Sequence, residues 1–201
     1  MILEKIVVGP MQVNCYIVGC ARTQEALVID PGDEPEKIKR ALKKHALKAI
    51  QVLNTHGHID HIGQDTAFGV GIAIHRLDAD FLNNPQLNLS TLVGINFTPL
   101  KPAVLFEDGQ KVAVGDITLE VVHTPGHTPG SICLYMEGIC FTGDTLFAQG
   151  VGRTDFSYSS EKALLLSIRK RLMTLPDETV IYPGHGSAST IGIEKKSNPF
   201  L

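Results

Sequence analysis

Short apolar runs alternate along this chain with Gly-, Pro- and Asp-rich punctuation, and the period of the apolar positions switches between two and about four. Ile2–Val8, Cys15–Val18 and Glu25–Asp30 are rich in β-branched residues and are separated by Gly9-Pro10 and followed by Gly32, so they predict strands. Asp33-Glu34-Pro35-Glu36 then offers a capping acid, a first-turn proline and early negative charge. Ile38, Ala41, Leu42 and Ala46 follow at helical spacing. The predicted helix ends before Ala49–Leu53, a strand that runs straight into Thr55-His56-Gly57-His58.

The second half repeats this logic. Lys111–Val114 and Ile117–His123 flank Gly115-Asp116, a two-residue hairpin turn, and Ser131–Met136 and Ile139–Thr142 flank Glu137-Gly138 in the same way. Ser159–Leu172 carries Leu165, Ile168 and Leu172 on one helical face, with Ser159 or Ser160 as its cap. Thr179–Tyr182 is a short strand entering Pro183-Gly184-His185. Each half thus gives strands, a helix and a strand ending in histidine, which predicts an α/β fold of two similar halves. Residues 82–102 are rich in Asn, Pro and Thr without periodicity and read as a long loop, of the kind that covers active sites.

Composition narrows the classes. The 201 residues are 43% hydrophobic and 19% charged with a net charge of −3, an ordinary globular balance. No cluster of Lys and Arg appears, which argues against a nucleic-acid partner. No apolar run approaches the ~18 residues of a membrane span, and the N-terminus lacks a signal-peptide pattern. Cys15, Cys20, Cys133 and Cys140 form no Cys-x-x-Cys pair, and three of them lie in apolar runs, so reduced thiols in a cytoplasmic protein are expected. Nothing in the pattern fixes an oligomeric state.

The chemistry concentrates in His56-Gly57-His58-Ile59-Asp60-His61, four metal-ligand types in six residues at a strand end. His-x-His on an extended backbone sends both imidazoles to one side. Asp60 and His61, from the following turn, can point to a neighbouring second centre. A polar loop capping the next helix explains an Asp but not three histidines. Further ligands must come from other strand ends, and three fit: His127 in Thr124-Pro125-Gly126-His127, Asp144 after Phe141-Thr142-Gly143, and His185 in Pro183-Gly184-His185-Gly186. His45 sits where a cation suits a helix end, His75 closes a strand, and His123 is expected to be structural.

Thr55–His61, Thr124–Ser131, Phe141–Leu146 and Tyr182–Gly186 resemble, in order, the ligand motifs of the metallo-β-lactamase superfamily. Gly150–Phe156 and the closing Glu194–Phe200 resemble its small glyoxalase II-like, or hydroxyacylglutathione hydrolase-like, branch. The resemblance implies a single 1–201 domain folded as a four-layer αββα sandwich. It also implies one metal on His56, His58 and His127, a second on Asp60, His61 and His185, and Asp144 bridging both. Zinc comes first, with iron or manganese compatible with imidazole and carboxylate donors. Two such ions generate a hydroxide near neutral pH, and Asp60 can orient it or take its proton.

The implied reaction is hydrolysis of a small-molecule thioester of the S-acyl-glutathione kind. The chain departs from full-length glyoxalase II by stopping at Leu201, without the helical glutathione-gripping domain, and by having Arg153 and Asp155 where those enzymes have Lys and Tyr. Arg153 is expected either to clamp a substrate anion or to pair with Asp155. The competing classes are a mono-iron persulfide dioxygenase, a lactonase, a β-lactamase and a non-catalytic metal-binding module. Pro183-Gly184-His185 disfavours the dioxygenase, while His61 and Asp144 disfavour the β-lactamase.

Overall fold

The computed structural model describes all 201 residues. Its first half runs β1 (Ile2–Val8), β2 (Val13–Cys20), β3 (Glu25–Ile29), α1 (Pro35–Lys44), β4 (Lys48–Leu53), α2 (Ile59–Ile62), β5 (Gly71–His75), α3 (Ser90–Val93) and β6 (Val104–Phe106). The second half runs β7 (Lys111–Val114), β8 (Ile117–His123), β9 (Ile132–Met136), β10 (Ile139–Gly143), β11 (Leu146–Phe147), β12 (Gly150–Val151), α4 (Glu161–Ser167), β13 (Val180–Pro183), β14 (Ser189–Thr190) and α5 (Ile191–Ser197).

Strands β1 to β6 form a six-stranded sheet in chain order, antiparallel from β1 to β3 and parallel from β3 to β6. The second six-stranded sheet is ordered β14-β13-β10-β9-β8-β7, with β10 and β13 its one parallel pair. Parallel neighbours need a crossover. α1 makes it from β3 to β4, and α4 lies on the return from β10 to β13.

The period of two along the strands sorts side chains into layers. On β3, Leu27 and Ile29 meet the second sheet's Leu119, Leu134 and Phe141. Their neighbours Ala26 and Val28 face Ile38 and Leu42 of α1. Val122 and Cys133 leave the second sheet on its far side and pack with Leu164, Ile168 and Ile191. Helix, sheet, sheet and helix therefore stack as the expected αββα sandwich, and strands buried on both faces explain the near-continuous apolar runs.

Several local expectations change. The left-handed residue entering α1 is Glu34, at φ 46°, and no side chain caps the helix. The Asp33 carboxylate instead accepts from the Glu34 amide at 2.6 Å, while Glu34 accepts from the Gly9 amide at 3.1 Å. Ser160 caps α4 by accepting from the Ala163 amide, and the helix continues as a π turn over Ile168–Leu172. Residues 82–102 carry only α3, and the edge strand β6 that follows them was not anticipated. All four cysteines are buried, free thiols, and no helix is long and apolar enough to cross a membrane.

Candidate metal centre

His56, His58, Asp60, His61, His127, Asp144 and His185 meet at one edge of the paired sheets. They follow the C-terminal ends of β4, β8, β10 and β13, where the chain leaves each strand for a tight loop. Two triads form: His56, His58 and His127, and Asp60, His61 and His185, each with its donor atoms within 4.8 Å of one another. His56, His61 and Asp144 satisfy the same condition, which puts Asp144 between the triads.

Close approach requires missing side chains. A Cβ on Gly184 would lie 2.2 Å from Asp144 Oδ1 and 2.7 Å from His61 Cε1. One on Gly32 would strike the Asp60 carbonyl oxygen at 1.3 Å. Larger residues at either position would push the donors apart.

Each histidine has one ring nitrogen tied to the surrounding protein and the other turned inward. His56 Nδ1 lies 3.2 Å from Thr55 Oγ1, whose own proton goes to Asp30 at 2.7 Å. His127 Nδ1 donates to the Arg153 carbonyl at 2.8 Å, and His185 Nδ1 to the Met11 carbonyl at 3.1 Å. His61 Nδ1 donates to Asp30 at 3.0 Å. His58 uses the opposite nitrogen: Nε2 meets Tyr158 Oη at 2.8 Å, and Tyr158 passes its proton to the Leu87 carbonyl at 3.0 Å. In the neutral ring the outer partner fixes the tautomer, so the inner nitrogen is the one that can offer a lone pair to a cation.

The inner atoms then face one another. His58 Nδ1 is 3.1 Å from His56 Nε2 and 3.0 Å from His127 Nε2. His61 Nε2 and Asp144 Oδ1 are fully buried and have no hydrogen-bond partner, a costly state for lone polar atoms. Inward lone pairs, two orphaned buried atoms and nearby carboxylates fit divalent cations of the zinc, iron or manganese type.

Electrostatics divide the triads. Burial, reinforced by neighbouring histidines, pulls His56 and His58 far below the ordinary imidazole value, and burial also lowers His127. Burial opposes the proton on His61 as well, but Asp60, Asp144 and Asp30 outweigh it and push that ring up to about 10. His185 is raised by Asp60 and Asp144 against the same opposition from burial. Burial would raise the Asp60 carboxyl, yet His61, His185 and His58 hold it below its usual range.

Asp30, Asp78 and Tyr158 were not anticipated from sequence. Asp30 accepts from the Thr55 amide as well as from Thr55 Oγ1 and His61. Asp78 is fully buried and accepts from the Gly57 amide at 3.0 Å, the Gly130 amide at 2.6 Å and Thr128 Oγ1 at 2.7 Å. It fastens the His56–His58 loop to the His127 loop. The remaining histidines stay outside the cluster. His75 and His123 stack at 4.1 Å, and His45 pairs with Glu4 at the surface end of α1.

A cavity of about 390 Å³ opens over the cluster, bounded by Leu89, Leu92, Val93, Phe147, Phe156 and Arg153. Arg153 grips Asp155 through Nε and Nη2 at 2.7 and 2.6 Å and lies 4.6 Å over the Phe156 ring. The pairing with Asp155 is therefore present, with Nη1 left over.

Residues 8–185 match the Lactamase_B family, the Metallo-beta-lactamase superfamily. The chain is 37% identical to the hydroxyacylglutathione hydrolase GloC of Haemophilus influenzae, over 100% of its own length and 98% of that protein. Among solved structures, BLEG-1 B3 metallo-beta-lactamase superposes with a TM-score of 0.92 at 37% identity, covering 100% and 99% of the two chains. TTHA1623 in a di-iron-bound form gives 0.86 at 34%, covering 98% and 100%. ETHE1 from Myxococcus xanthus gives 0.80 at 31%, covering 99% and 84%. With the fold, the motif order and these likenesses in agreement, the chain belongs to the metallo-β-lactamase superfamily.

Proposed function

We propose that this protein is a metal-dependent thioesterase that hydrolyses S-acyl-glutathione-like substrates. The observation that carries the reading is the complete set of donors: two adjacent triads with inward lone pairs, joined by a carboxylate whose buried oxygen has no partner. His56, His58 and His127 would hold one cation, Asp60, His61 and His185 a second, and Asp144 would touch both. Such a pair of ions supplies Lewis acidity and a water of lowered pKa, with zinc the first candidate and iron the second.

The chain's own groups supply the rest. Asp60, held anionic between His61 and His185, can orient an attacking water and take its proton. Leu89, Leu92, Val93, Phe147 and Phe156 shield the reacting carbonyl from bulk solvent. Arg153 Nη1 remains free to meet a carboxylate of the thiol carrier at the cavity edge. Likeness to the hydrolase GloC supports the reading.

Likeness to ETHE1 supports a second one, a mono-iron dioxygenase acting on a persulfide. The two diverge on oxygen. The zinc- or iron-loaded protein should release free thiol from S-lactoylglutathione under anaerobic conditions. Oxygen uptake stoichiometric with glutathione persulfide, with no thioester cleavage, would decide for the dioxygenase.

A further inference from the structure

We propose that a second cavity, beside the metal centre, receives the acyl group of the substrate and selects uncharged acyl groups longer than lactoyl. This rests on the thioesterase reading and adds the chemistry of the acyl half.

The cavity has a volume of about 290 Å³ and lies between the Gly9–Met11 turn, α2 and residues 95–100. Met11, Ile59 and Asp60 line both this chamber and the cavity over the metal cluster, so they form a common wall. A group bound beside Asp60 at the cluster therefore stands next to the chamber, across a wall of three side chains. A volume of about 290 Å³ is many times what a single water needs and leaves room for more than a lactoyl group.

Its lining is graded. Val8, Val13 and Ile59 are buried and give an apolar floor. Thr66, Asn96 and Thr98 are exposed and give a polar mouth. A floor without hydrogen-bonding side chains suits methylene groups, which gain by leaving water.

Charge sets the orientation. Arg153 is the one Lys or Arg lining either cavity, and it belongs to the metal-centre cavity. The chamber contains no Lys or Arg and carries the carboxylate of Asp33, while Asp60 on the shared wall belongs to the second donor triad. An anionic thiol carrier is therefore drawn to the Arg153 side. A carboxylate on the acyl group would be repelled by the chamber, whereas a neutral alkyl chain would not. The substrate then lies with its carrier at Arg153, its scissile carbonyl by Asp60 and its acyl chain over Val8 and Val13.

α3 and the segment that follows it link the two spaces. Leu92 and Val93 border the metal-centre cavity, and Phe97 and Leu100 border the chamber. One stretch of chain thus contacts both halves of the substrate.

The test uses the metal-loaded full chain and glutathione thioesters that differ only in the acyl group: acetyl, butyryl, hexanoyl and the anionic succinyl. We expect kcat/KM to rise at least about tenfold from acetyl to hexanoyl and succinyl to fall below butyryl. Thr66→Trp, which fills the mouth, should collapse the hexanoyl-to-acetyl ratio towards one. Binding is read separately with hexanamide, which carries the chain without a scissile bond. It should shift the backbone amide resonances of Thr66 and Thr98 in the wild-type protein.

Thioesters cleaved with no chain-length preference, and a ratio unchanged in Thr66→Trp, would overturn the chamber proposal and leave the thioesterase reading standing. Hexanamide that shifts those resonances while every thioester stays intact would overturn the reaction and uphold the chamber. Hexanamide that leaves both resonances in place would also overturn the chamber.

Discussion

The two triads at the sheet edge differ by one donor, the second having Asp60 where the first has a third histidine, and they are held by different partners. His56, His58 and His127 are tied outward to neutral groups: a threonine hydroxyl, a tyrosine hydroxyl and a backbone carbonyl. His61 is tied to the Asp30 carboxylate, and both His61 and His185 face Asp60 and Asp144. The first triad is thus a neutral nest of lone pairs. The second is a network in which carboxylates favour a proton on His61 and His185, in competition with a cation. A carboxylate in one triad, and different neighbours around both, make the two candidate sites unequal.

The strongest way to break this picture is to remove the group both triads share. Asp144→Ala should lower kcat by at least about a thousandfold and reduce total bound metal, because both centres lose a ligand. Equal metal content in variant and wild type would end the bridging assignment. The same change at His75, stacked on His123 away from the cluster, should leave metal content near wild type.

A second test separates the triads from their scaffold. Asp78→Ala strands three donors, the amides of Gly57 and Gly130 and the hydroxyl of Thr128. The expected cost is about 3 kcal/mol, near 10 °C in Tm, measured by thermal unfolding. An unchanged Tm would mean the two loops are held by other contacts.

Tyr158 sharpens the comparison within the first triad. Tyr158→Phe removes only the hydroxyl that holds His58 Nε2, so His58 can turn or change tautomer. Metal affinity of the first centre should fall about 10- to 100-fold by chelator competition, with the ligand-field bands of a cobalt-loaded sample altered. A drop in Tm with unchanged affinity and spectrum would reduce Tyr158 to a packing residue.

The smallest expected difference is in pH dependence. His61 holds a proton up to about pH 10 in the metal-free network, so a cation must displace it. Apparent affinity of the second centre should therefore fall as pH drops from 8 to 6. The first triad, whose imidazoles are pulled below their ordinary value, offers less competition from protons and should change less. Metal titrations at both pH values check this, and parallel slopes at the two centres would erase the distinction.

What the sequence revealed follows the same division. The candidate ligands were legible because His56, His58, Asp60 and His61 crowd into six residues and the rest end strands in Gly-rich turns. Their supports were not. Tyr158 meets His58 across 100 positions of sequence, and Asp30 meets His61 across 31. A single Tyr or Asp with a partner that far away leaves no local pattern. Strand β6 escaped for a similar reason: Val104–Phe106 is three residues at a sheet edge, too short for alternation to register. The layers themselves were readable, because strands buried on both faces impose long apolar runs.

The central claim is that two unequal cation sites share Asp144. Elemental analysis of metal per chain, on the wild type and on His61→Ala, tests it most directly. Two equivalents in the wild type and one in His61→Ala, both proteins giving the same circular dichroism spectrum, is the predicted result. One equivalent in each would contradict it.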